Sequence, residues 1–155
     1  MSARSMFLYV ALAALQAGAA RPAPKHHAVG KITVKTYDAK PYDEPAHGPK
    51  LMRTHVTETF SGDIEADGVV EFLQVVQSDG STSFVGIERV TGKLGGRTGT
   101  FVLQDAGTVS GKVVAGTWFV VPGSGTGQLT GLRGKGGFTA DLGKSASITL
   151  DYSFE

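Results

Sequence analysis

The chain has no cysteine, a single tryptophan, a formal charge of only +1, and one proline after residue 49. Each shortage excludes something. Without Cys there can be no disulfide, thiolate zinc site, iron–sulfur cluster or cysteine nucleophile. So small a net charge on 155 residues gives no electrostatic footing for nucleic acid as a partner. The N-terminal apolar run, Met6 to Leu15, falls short of the roughly 20 residues that cross a bilayer as a helix. What is present suffices for a core: 41% of residues are hydrophobic, and the length fits one domain.

Residues 1–20 have the three parts of a secretory signal peptide. Arg4 supplies the charge, Met6–Leu15 the apolar stretch, and Ala17-Gly18-Ala19-Ala20 the small residues of a cleavage site. The expectation is an exported protein, secreted or periplasmic, with no membrane attachment after cleavage. No Cys follows that could carry a lipoprotein anchor. Residues 21–50 hold Pro22, Pro24, Pro41, Pro45 and Pro49, a density that disfavours helix. Residues 21–30 therefore read as a flexible leader and 31–155 as a single folded domain.

From Leu51 onward the hydrophobic pattern has period two. In Ala146, Ile148, Leu150, Tyr152 and Phe154 one face is apolar, while Ser145, Ser147, Thr149, Asp151 and Ser153 form a polar one. That is a half-buried strand. The pattern gives strands near 31–37, 51–61, 69–77, 82–92, 98–106, 112–121, 134–140 and 145–154. Of these, Val69–Gln77, apolar on both faces and rich in β-branched residues, reads as packed on two sides. Asp67-Gly68, Asp79-Gly80, Gly95-Gly96, Ser110-Gly111 and Leu142-Gly-Lys144 supply reversals between segments. Residues 123–133 read as a loop or one helical turn. Eight short strands without covering helices predict an all-β fold, a closed antiparallel barrel or a sandwich. Closure removes both exposed edges, so the expectation is a closed antiparallel meander barrel. A barrel of that size has an interior that side chains nearly fill, or that holds one small ligand.

Nucleotide-binding and metal chemistry fail on inspection. Gly143-Lys144-Ser145 ends like a phosphate-binding loop, but Phe138 stands where its first glycine belongs and no helix follows. Gly123–Gly134 lacks the dinucleotide spacing and setting. His26, His27, His47 and His55 form no metal-binding pattern, and no G-x-S-x-G elbow occurs. No metal and no cofactor is expected.

Glu88 is the notable carboxylate. It shares a strand face with Phe84, Gly86 and Val90, so if that face lines the barrel, desolvation raises its pKa and fits it for acid–base work. The competing role is a structural ion pair with Arg97 or another cation across the sheet. Gln104 and Asp105 lie on opposite faces of the next strand, and alternation alone leaves open which points inward. Trp118 is a core or barrel-closing residue or a ligand platform. The candidate ligand-binding set is Phe84, Glu88, Gln104, Asp105 and Trp118, with Glu88 the catalytic candidate.

Two long stretches, Phe84 to Gln104 and Val120 to Gly134, resemble the bacterial family called domain of unknown function 3224, over roughly residues 31–155. The resemblance implies a barrel like that of allene oxide cyclase, itself related in shape to calycins, and it implies no assigned reaction. Many relatives have a His after the Phe-Val-Leu-Gln segment; this chain has Asp105, which puts an imidazole base in doubt here. Three roles follow: a module binding a small apolar or amphipathic molecule inside the barrel, a cofactor-independent cyclase or isomerase, and a protein-interaction module with a filled barrel. Related cyclases also make a homo-oligomer an expectation.

Overall fold

The computed structural model describes Ala23 and residues 25–155; the expected signal peptide lies outside the described residues. Eight strands follow one another: β1 (His26–Asp43), β2 (Lys50–Gly62), β3 (Ile64–Val76), β4 (Thr82–Leu94), β5 (Arg97–Ser110), β6 (Val113–Val120), β7 (Leu132–Asp141) and β8 (Ala146–Phe154). A single 3-10 turn, Gly127–Leu129, sits between β6 and β7. Every strand pairs antiparallel with the next, and β8 returns to β1 to close the barrel. The closing ladder runs from His26 opposite Tyr152 to Ile32 opposite Ala146. Closure leaves no free edge along that seam.

Two sequence expectations are corrected. The first strand starts at His26, five residues before the expected 31, because Ala28 fills a core position (2% exposed). The strand also runs on through Pro41, which lies beside a register shift between Pro41 and Asp43. Beyond Ile32 only the β2 side of β1 is paired, so a missing N–H there breaks no second ladder. Second, Asp67-Gly68 makes no hairpin. It lies inside β3, with Gly68 opposite Glu58 on β2 and Val90 on β4. The chain reverses instead at Gly62-Asp63, where Gly62 has φ +107° and the Asp63 amide donates to the Val29 carbonyl.

The interior is divided. At the end holding the β2–β3 and β4–β5 turns, Ile64, Leu94, Phe101 and Leu132 are fully buried, and Leu129 of the 3-10 turn plugs the opening with no exposure. Gln128 and Thr126 tie this plug to the backbone amides of Thr98 and Thr100 on β5. The opposite end is hollow. Three inward phenylalanines there lie directly across from glycines: Phe72 from Gly86, Phe84 from Gly107 and Phe138 from Gly116. A Cβ at any of these glycines would meet the facing ring at about 2.5 Å. Rings over bare backbone let the sheet curl tightly while keeping the wall apolar.

Candidate functional site

A cavity of about 560 Å³ occupies the hollow end. Its wall is apolar and aromatic, with Val56, Phe72, Phe84, Trp118 and Phe138. The rings form a connected belt: Phe72 meets Phe84 edge-on at 5.2 Å, Phe84 stacks on Phe138 at 6.2 Å, and Phe138 meets Trp118 at 5.2 Å. The Trp118 indole N–H donates to the Thr149 carbonyl at 3.0 Å, which fixes the ring against β8. Around the mouth stand Val34 and Tyr37 of β1 and the β7–β8 turn from Asp141 to Ser145.

Three carboxyls face the same cavity: Glu58 from β2, Glu88 from β4 and Asp105 from β5. They are 7%, 2% and 2% exposed. Alternation explains the burial, since Glu58 lies between Val56 and Phe60, and Glu88 between Gly86 and Val90, on the core face. The gap above Gly68 receives the Glu88 carboxyl: a Cβ on residue 68 would collide with Glu88 Oε1 and approach Phe60 Cε2 to 2.8 Å. Glu58 and Glu88 are hydrogen-bonding partners, an arrangement that requires one of the two to hold a proton. Glu88 Oε1 and Asp105 Oδ1 find no donor.

Burial dominates the titration of all three groups. It pushes Glu88 well above the usual carboxylate range, and the Glu58 and Asp105 charges push it further. Asp105 is raised to about 7 by burial and then by the Glu58 charge. Burial also raises Glu58, partly offset by its bond with Glu88. The site can therefore hold protons at neutral pH and exchange them near it.

Of the residues singled out from sequence, Phe84, Glu88, Asp105 and Trp118 come together in this cavity. Gln104 does not. It points to solvent, paired between Ile87 and Phe119 on the outer surface, because Phe101 and Leu103 take the inward positions of β5 and carry Asp105 with them. The expected ion pair of Glu88 with Arg97 is also absent: the Arg97 guanidinium lies 4.1 Å over the Phe154 ring, at the plugged end. Glu58 escaped the sequence reading. The alternation Thr54, Val56, Glu58, Phe60 carries the same signal that marked Glu88. The histidines stay on the outside, with His27 paired to Asp151 and His55 to Glu71. Among the described residues no group of three or more His, Asp or Glu is arranged to hold a metal ion.

Comparison with known proteins agrees with this architecture. No curated protein matches the chain. A crystal structure of a protein of unknown function from the DUF3224 family of Shewanella oneidensis MR-1 is similar, with a TM-score of 0.73 and 34% sequence identity. That match covers 85% of this chain and 99% of the other. The profile of the family described as "Protein of unknown function (DUF3224)" matches residues 28–152, nearly the whole barrel from β1 into β8, and the chain belongs to that family.

Proposed function

We propose that this protein is an exported barrel that binds a small, largely apolar molecule in its hollow end. The observation that carries the reading is the 560 Å³ cavity, which falls inside the roughly 300–1,000 Å³ range of small-molecule sites. It combines an aromatic wall with a few convergent polar groups, as such sites do. Export rests on the composition of residues 1–20 alone. The test is native mass spectrometry of protein purified gently from its own host, beside a Val114→Trp variant. Val114 lines the cavity from β6, so an indole there fills it. The expected result is a small molecule retained by the wild type and lost from the folded variant. A cavity that retains nothing and takes up no apolar probe overturns the reading.

A second reading, a cofactor-independent isomerase, draws on one specific observation. Asp105 titrates near neutrality beside Glu88, the pairing of acid and base that proton transfer requires. Here the aromatic belt would hold the substrate in a reactive conformation while Glu88 moves the proton. Conversion of the retained molecule by wild type, but not by Glu88→Gln, would establish it.

A further inference from the structure

Resting on the binding reading above, we propose that the cavity takes a primary or secondary ammonium ion on an apolar body, its N–H donors meeting Glu88 and Asp105. Two acceptor atoms, Glu88 Oε1 and Asp105 Oδ1, have no donor within the protein. Glu88 Oε1 lies in the gap above Gly68, so its carboxyl turns about its last bond to present that oxygen to an occupant. Both residues line the cavity. A buried acceptor without a donor is costly, so an occupant that brings donors is favoured over one that brings acceptors.

Charge argues in the same direction. The titratable groups facing the cavity are Glu58 from β2, Glu88 from β4 and Asp105 from β5, with Tyr37, Asp141 and Lys144 around the mouth. Lys144, in the exposed β7–β8 turn, is the one basic residue among them. A carboxylate ligand would add like charge to the cluster. An alcohol supplies one donor for two acceptors, whereas an ammonium group supplies two or three donors and the opposite charge. The aromatic faces of Phe72, Phe84, Phe138 and Trp118 in the same wall also favour a cation. A neutral carbonyl compound would bind only to the protonated acids and would bind more tightly as pH falls. An ammonium ion does the reverse, because each proton taken up by the cluster removes an acceptor and a charge.

The experiment compares octylamine, 1-octanol and octanoate by calorimetry at pH 8 and pH 5.5, using the whole mature protein. At pH 8 octylamine is expected to bind about tenfold or more tightly than 1-octanol, with octanoate weakest. That advantage shrinks at pH 5.5, where Asp105, raised to about 7, is protonated. Asp105→Asn should remove most of the amine's advantage and Glu88→Gln a smaller part of it, and both should leave 1-octanol binding intact. Equal affinity for amine and alcohol at pH 8, or an amine that binds more tightly at pH 5.5, overturns the ammonium inference and leaves the cavity reading standing. Amine binding that survives in the folded Val114→Trp variant places it outside the cavity and also overturns the inference. Failure of all three probes to bind overturns the cavity reading, and the ammonium inference falls with it.

Discussion

Ionising Glu88 means placing a second negative charge beside Glu58 on a side chain that is only 2% exposed. Its proton therefore stays on well above the usual carboxylate range, and so does that of Asp105. In the unfolded chain both groups lose their protons near pH 4. Between that pH and the folded values, the folded state holds more protons than the unfolded one, so stability falls as pH rises. For Asp105 the window runs from about pH 4 to about 7, and for Glu88 it extends higher. Urea unfolding should thus show a protein more stable at pH 5 than at pH 8, by about 2–4 kcal/mol in total. Glu88→Gln keeps the shape and removes the ionisable group. It should raise stability at pH 8 by about 1–3 kcal/mol and flatten the profile. A variant less stable than wild type at pH 8 would mean that Glu88 is satisfied in a way its surroundings do not suggest. The role of Glu88 was legible from Phe84, Gly86 and Val90 on its face, whereas its partners were not. Alternation gives a side, but only the register across β2, β3, β4 and β5 brings Glu58 and Asp105 to the same cavity.

Strands were easier to read than their ends. Seven follow from period-two alternation. Val69–Gln77 follows from its β-branched residues, but one of its two apolar faces is open, with Val69, Leu73 and Val75 exposed. The turns at Asp79-Gly80, Gly95-Gly96, Ser110-Gly111 and Leu142–Lys144 fall where glycine chemistry puts them. Asp67-Gly68 misled because glycine has a second use, as a gap for a neighbour's side chain, and in sequence that looks the same as a turn. The start of β1 misled because proline density masks a segment whose pairing is set by β8, more than 110 residues away. That segment is structural. Ala28 is buried, and Gly30 leaves no room for a Cβ against the Ser61 carbonyl. A chain beginning at Lys31 loses five of the seven β1 residues that meet β8, while one beginning at Ala23 keeps the seam. Thermal melts should place the shorter chain roughly 10 °C or more below the longer, with aggregation through the bared edge of β8. Equal melting temperatures would show that residues 26–30 add nothing to closure.

One end of this barrel is solid and the other is open, and the difference reaches the backbone. Around the plug, the ladders lie over fully buried Ile64, Leu94, Phe101 and Leu132, sealed by Leu129. At the mouth, β1 outruns β8: past Ile32 it pairs only with β2, and from Thr33 to Asp43 every residue except Ala39 is exposed. Local opening is least costly where few apolar contacts are broken and one side of a strand is unpaired. Amide hydrogen exchange should accordingly divide the molecule across its waist instead of strand by strand. Amides of Lys35–Lys40, Tyr42 and Asp43 are expected to exchange at least about a hundredfold faster than those of Val90–Leu94 and Phe101–Leu103, a gap of about 3 kcal/mol in opening free energy. Each long strand should then be protected at one end and labile at the other, so β2 grows slower-exchanging from Lys50 towards Phe60. An occupant of the cavity touches Val34 and Tyr37 at the mouth as well as the carboxyls below, and it should slow exchange in β1 beyond Ile32 while leaving the plugged end unchanged. Uniform protection along β1 and β2 would mean that the mouth is held by contacts the fold does not display, and the cavity would then be a rigid vessel rather than one whose rim can part to admit a ligand.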